Sequence, residues 1–286
     1  MKTQRRKRLD TALGILLPLV IVVLAFVAWD VVVRVFTIQP YVMPKPSAVF
    51  HSLRSDWSVL GPDSVNTIKE VVLGFAIGTS FGFVLAVLMA HITLVRRGLY
   101  PILIASQAVP IIAIGAPLTI WLGYGLSPKL AIVSLIVFFP VVVNVLVGLL
   151  SVDDDLINLA RAMGAGPMRI FRHIRLPATL TPLFSALKLA AVFAVSGALF
   201  GEWIASTTPG LGTYLLEQNS TLNTAGVFAA ILLLAAIGIG AFLIVAGVER
   251  LATPWRTRST SRRLPFRRTR DARSRAVPAS IEGGSS

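Results

Sequence analysis

The side chains able to do chemistry are few in this chain of 286 residues, and they are scattered. His51, His91 and His173 fall in one loop, at the end of one apolar run and in a later polar stretch. They cannot converge on a metal, and no HExxH-type ligand spacing accompanies them. Cysteine is absent, which removes disulfides, thiolate metal sites and cysteine nucleophiles. Asp153, Asp154 and Asp155 could in principle hold a cation. Acids where a helix begins also favour the positive end of its dipole, and capping is the stronger reading. No glycine-rich loop followed by Lys-Ser or Lys-Thr is present, so there is no Walker-type nucleotide site. Asp30, Lys188 and Glu202 lie in or near apolar runs, where charge is costly and functional by default. They are too few for a transmembrane proton relay, and the inventory disfavours an enzyme.

The elements that carry these residues are apolar. Hydrophobic residues make up 55% of the chain, charged residues 14%, and mean hydropathy is +0.78. A soluble domain carries about 25% charged residues, so the composition is that of a membrane protein. A spanning helix needs about 20 mostly apolar residues. Segments near 11–36, 64–92, 99–122, 129–150, 178–204 and 223–248 qualify. The first follows the basic start MKTQRRKRLD and exceeds the length of a secretory signal core, so it is predicted to be an uncleaved span.

The net charge of +14 would suggest nucleic acid in a soluble protein. Here it reads as topology. Lys2 to Arg8, Arg96, Arg97, the arginines of 161–175 and the arginine-rich tail share one side of a six-span chain. The other side or its boundary holds Arg34, Lys45, Arg54, Lys69 and Lys129. Positive charge marks the cytoplasmic side, which places both termini and the 153–177 loop there. The expected division is a basic N-terminus at 1–10, a transmembrane domain at 11–250 and a polar tail at 251–286. The tail reads as disordered and held to the inner leaflet, with no nucleic-acid partner.

Within this frame, Pro101, Pro110 and Pro117 interrupt the third span. Broken backbone in lipid is tolerated beside protein or a water-filled cavity. That span therefore either lines a pathway or packs as a kinked helix. Gln107, Pro110, Pro117 and Glu202 are the pathway candidates. Val49, Phe50, Leu53, Trp57 and Leu60 are predicted to share one face of an outer surface helix, serving either as a docking surface or as an anchor. Gly74, Gly78 and Gly82 recur every four residues and continue as Ala86 and Ala90. This row predicts close helix packing, within the subunit or across a dimer. Pro209, Gly210 and Gly212 mark a tight turn in the last outer loop.

The polar island from Asp153 to Pro177 stands out between the fourth and fifth spans. Leu156, Leu159, Ala160 and Met163 form one apolar helix face, Gly164 and Gly166 permit a turn, and Arg161 before it with Arg169, Arg172 and Arg175 after it can pair with acidic groups. Its second part, NLARAMGAGPMRIFRHIRLP, resembles the cytoplasmic EAA loop of ABC importer permeases. That pattern is Glu-Ala-Ala, three residues, Gly, nine residues, then Ile-x-Leu-Pro. Here Gly164, Ile174, Leu176 and Pro177 keep the spacing, while the triplet reads Asn158-Leu159-Ala160. VPIIAIGAPLTIWLGYGLSPK and GEWIASTTPGLGTYL are similar to the nitrate, sulfonate, taurine and pyrimidine-precursor branch of that family.

The resemblance implies an all-α, six-helix permease of the type I importer kind with a coupling helix between helices 4 and 5. It implies that Asn158, Leu159, Ala160, Met163, Gly164, Ala165, Gly166, Ile174, Leu176 and Pro177 engage an ATPase subunit. It also implies a second permease copy, two ATPase copies carrying ATP and magnesium, and an extracytoplasmic binding protein. The chain itself is expected to bind no cofactor. The competing class is an ATP-independent channel or scaffold.

Overall fold

The computed structural model describes residues 2–205 and 207–254, with the backbone alone for 2–15 and Leu19. Met1, Ser206 and the arginine-rich tail from Trp255 onward lie outside the described residues. The described chain is helical throughout. Its elements are α1 (Lys2–Val35), α2 (Pro46–Ser55), α3 (Trp57–His91), α4 (Thr93–Ser106), α5 (Ile111–Leu122) and α6 (Leu126–Leu150). There follow α7 (Asp154–Ala162), α8 (Pro167–Ile170), a π-helical turn (Phe171–Arg175), α9 (Leu176–Ala205), α10 (Leu211–Ser220) and α11 (Thr224–Ala252).

Three small-residue and branched ridges build the centre. On α6, Val133, Val137, Val141, Val145 and Leu149 recur every four residues and are buried. The glycine row of α3 receives that ridge from one side: a Cβ on Gly74 would come within 2.5 Å of Val133, and one on Gly82 within 3.0 Å of the Phe138 carbonyl. From the other side come Ala190, Ala194 and Ala198 of α9, again at four-residue intervals and fully covered. Rows spaced by four are ridges that interdigitate, and small residues in one row let the axes close in. Lipid offers no hydrophobic drive for this association, so the fit itself supplies the contact energy. The glycine row therefore packs within the chain, on α6.

Five helices are long and apolar enough to cross a membrane, and a sixth crossing is counted if α4 and α5 are taken together. Those two meet at 103°, so residues 99–122 do not form one continuous helix. The break lies at 107–110 and ends on Pro110, which has extended backbone (φ −60°, ψ 125°) and no N–H to continue the ladder. Pro101 and Pro117 sit inside α4 and α5 without breaking them.

Two further expectations shift. The α2 helix ends at Ser55, so Val49 and Leu60 are buried while Phe50 and Trp57 stay exposed, and the five residues share no single face. Pro177 does not end the 153–177 segment. From Pro167 the chain runs helically into α9, giving a stretch of 39 residues to Ala205. The wide π turn precedes the proline and accommodates the hydrogen bond that it cannot donate.

Helix α1 touches the bundle sparsely. Its Trp29 ring lies 5.4 Å from Phe228 and Val33 is buried, while most of the stretch from Leu16 to Val35 is exposed apolar surface.

Candidate functional site

The Asp153–Pro177 segment joins the ends of α6 and α9. Its first helix is started by Asp153, whose carboxylate accepts from the Asp155 amide at 2.9 Å, with Asp154 and Asp155 in the first turn. The aspartates therefore cap the helix, and no group of three or more His, Cys, Asp or Glu among the described residues could hold a metal. The helix stops in a Schellman arrangement. The Ala165 amide donates to the Ala160 carbonyl and the Gly164 amide to Arg161, both at 2.9 Å. Gly164 adopts φ +80°, and a Cβ there would meet nothing within 4 Å. Its requirement is conformational. Gly166 has φ −71° and adopts backbone open to any residue.

The faces of α7 divide cleanly. Ile157, with Ile170 from α8, turns into the chain and is buried. Leu156, Leu159, Met163 and Met168 are exposed, Met163 to 78% and Met168 to 74%. Ala160 is half-buried, and Asn158 faces outward, its amide oxygen 3.5 Å from Arg161. Ile174 and Leu176 are half-buried in the π turn and the start of α9, and Pro177 is exposed beside them. The segment thus presents an apolar, methionine-rich face that the described residues leave uncovered.

A second feature is a cavity of about 510 Å³ at the α4–α5 break. Gln107 and Pro110 line it, together with Phe139, Asn144 and Phe193. Its lining holds no charged side chain. Neither Pro117 nor Glu202 belongs to it. Asn144 was not singled out by sequence reasoning, although an amide inside the apolar run of α6 is a usable signal. Its side chain donates to the Pro140 carbonyl at 2.7 Å.

At the opposite ends of α6 and α9 lies a buried polar layer. Lys129 is completely covered and pairs with Glu70 at 2.7 Å. It also donates to the Thr208 hydroxyl at 3.0 Å. Glu202 accepts from the Thr67 hydroxyl at 2.6 Å and from the Gly212 amide, and Thr67 in turn accepts from the Leu211 amide. A Cβ on Gly210 or Gly212 would overlap the Glu202 carboxyl group, so both glycines are needed for close approach. The 207–213 turn is wrapped around that carboxylate. Glu70 and Asp63 are buried here as well and were not singled out by sequence reasoning, although Glu70 falls inside the apolar segment 64–92, where a charge is a usable signal. Elsewhere Lys188 pairs with Glu249 of α11 at 2.7 Å and Asp30 with Arg34 at 2.7 Å.

Outside the spans, Tyr214 of α10 donates to Asp56 at 2.7 Å, and Ser52 donates to the same oxygen at 2.9 Å. Burial pushes the Asp56 carboxyl up, but the hydroxyls of Tyr214, Ser52 and Ser55 outweigh it and hold it below its ordinary value. Burial, then the hydrogen bond to Asp56, pushes the Tyr214 hydroxyl up. A lowered carboxylate stabilises the fold above its unfolded value of about 3.9, and a raised phenol does so below about 10. The melting temperature of wild type minus that of Tyr214→Phe should therefore be largest between these limits. It should shrink as pH falls through the Asp56 value and again as pH rises into the tyrosine range. A difference independent of pH would contradict the pairing.

Comparison with known proteins follows the same residues. A family model described as binding-protein-dependent transport system inner membrane component matches residues 78–253, which include α7 to α9. A probable ABC transporter permease protein of Haemophilus influenzae is 33% identical over 225 residues, covering 79% of this chain and 91% of that protein. A formylaminopyrimidine transport permease protein of Halalkalibacterium halodurans is 32% identical over 240 residues, covering 84% of this chain and 95% of its own length. Among solved structures, an inward-facing MetNI methionine ABC transporter chain aligns with a TM-score of 0.56 and 20% identity, covering 68% of this chain and 98% of that one. That likeness is one of fold. With the family model spanning more than half its length, the chain belongs to the binding-protein-dependent transport inner-membrane components, the permease subunits of ABC importers.

Proposed function

We propose that this chain forms the translocation pathway of an ATP-driven importer and takes its driving force through the Asp153–Pro177 segment. The observation that carries the proposal is the exposed face of Leu156, Leu159 and Met163, ended by a glycine-dependent turn and followed by the exposed Met168. Exposed apolar helix faces bounded by charge mark docking sites for other proteins. The occupant we assign is an ATPase subunit, with Arg169 and Arg172 available to acidic groups at the rim. ATP and magnesium are bound by that ATPase, and this chain carries no cofactor. Both termini and the segment face the cytoplasm, as the charge asymmetry supports. Two permease copies, in a homodimer, and two ATPases make the transporter, and an extracytoplasmic binding protein delivers the solute.

Closing of the ATPases on ATP moves α7 and α8. Because α8 runs on through the π turn into α9, that movement passes directly into a spanning helix. The cavity at the α4–α5 break is the candidate passage. Sulfonate, taurine, nitrate and pyrimidine-precursor solutes all fit the branch. The uncharged lining with Gln107, Asn144 and two phenylalanines favours a neutral heteroaromatic of the pyrimidine-precursor kind over an anion. The formylaminopyrimidine permease similarity points the same way.

Uptake of a radiolabelled aminopyrimidine in cells carrying the intact system should be lost when the ATPase is made hydrolysis-deficient. Uptake that persists would favour the second reading, an ATP-independent channel.

A further inference from the structure

A cavity of about 560 Å³ lies between the end of α3 and the 153–177 segment, apart from the exposed apolar face. Its lining combines His91 and Thr93 with Arg161 and Arg175, over an apolar floor of Ile157, Ile170 and Phe171. No aspartate or glutamate lines it. The His91 and Phe171 rings meet edge to face at 5.1 Å and brace one wall.

The arginines are the informative part. Arg175 Nε is covered and has no hydrogen-bond partner among the described residues. The hydrogen bond from Arg161 Nη1 to Asn158 is long, at 3.5 Å. Two guanidiniums without a carboxylate fit a phosphate, which accepts from their forks in pairs. The apolar floor fits the glycerol and first methylenes of an amphiphile. Ala90 and His91 close a helix long and apolar enough to cross a membrane, so the cavity lies at the end of that helix.

We propose that this cavity binds the phosphate of an anionic phospholipid headgroup, held by Arg161 and Arg175. The lipid then braces the end of α3 against the segment that precedes α9. The assignment stands on the cavity alone and does not depend on what covers the exposed face of α7.

The test uses the full chain purified in detergent and a fluorescent short-chain phosphatidylglycerol, displaced by unlabelled phosphatidylglycerol, phosphatidylcholine or inorganic phosphate. Phosphatidylglycerol should bind more tightly than phosphatidylcholine. Arg161→Gln and Arg175→Gln should each weaken it by roughly tenfold or more, the scale of a lost charge-assisted hydrogen bond. Arg172→Gln removes an equal charge from an exposed position outside the cavity and should leave binding within about twofold, as expected for a solvated charge. If Arg175→Gln fails to fold, Arg175→Lys keeps the charge without the fork and should bind at an intermediate level. Equal binding of phosphatidylcholine, or an equal loss in Arg172→Gln, would overturn the site. Inorganic phosphate binding as tightly as the lipid would overturn the lipid assignment. Unchanged lipid binding in both cavity variants, with loss of ATPase co-purification, would give the cavity to an ATPase side chain and likewise overturn it.

Discussion

Gly164→Trp should insert into the membrane and fold, yet fail to retain an ATPase and fail to support uptake. Among the described residues nothing lies within 4 Å of a Cβ at this position, so the side chain leaves the backbone into open space. The intramolecular cost is the positive φ of +80°, which burdens an L-residue by about 1–2 kcal/mol. That sum can fray the end of α7 without unfolding a bundle built on α3, α6 and α9. What the indole meets is whatever covers Met163. Gly164→Asn separates the two contributions, because asparagine visits this backbone region more readily than other residues. If turn geometry dominates, Asn should recover most ATPase association. If clearance dominates, Asn should fall between glycine and tryptophan. Immunoblotting of membranes and affinity co-purification read both quantities. Normal ATPase recovery with Gly164→Trp would refute the docking surface.

Lys129→Met should be the most damaging single change to stability. The ammonium group is fully covered and its partner Glu70 is 2% exposed. Removing one member of a buried pair leaves the other charge uncompensated, at a cost of about 3–5 kcal/mol. It also removes the hydrogen bond from Lys129 to the Thr208 hydroxyl, in the turn that wraps Glu202. Replacing both members by apolar residues of similar volume is often neutral, so Lys129→Met with Glu70→Leu should recover much of the loss. Thermal unfolding of the purified chain, run as a double-mutant cycle, measures the coupling. Equal melting of wild type and Lys129→Met would show that the pair contributes nothing.

Much of the fold was legible because membranes simplify it. Apolar length gave the helices, and the four-residue row from Gly74 gave a close packing face whose partner, the Val133 ridge, needed coordinates. The break at 107–110 was half legible. Proline announced irregularity, but whether a helix kinks or turns through 103° depends on the surrounding packing. Pro177 misled for a related reason. A proline following a π turn sits inside a helix, and no local pattern distinguishes that from a helix end. The 153–177 segment was legible as polar, amphipathic and glycine-hinged. Its division into a buried Ile157 side and an exposed Met163 side was not, since which side turns inward is set by tertiary contact. Glu202 was visible as a charge near a span end, but its role in holding the 207–213 turn rests on two glycines, eight and ten residues further on.

The proposed docking face can be tested with one reagent because the chain has no cysteine. A single Met163→Cys substitution places a thiol at a position 78% exposed. Its rate of modification by a water-soluble maleimide should be high for the chain alone and strongly reduced once the ATPase is bound. The protection should disappear when Gly164→Trp is added. Equal modification rates with and without a bound ATPase would contradict docking on this face.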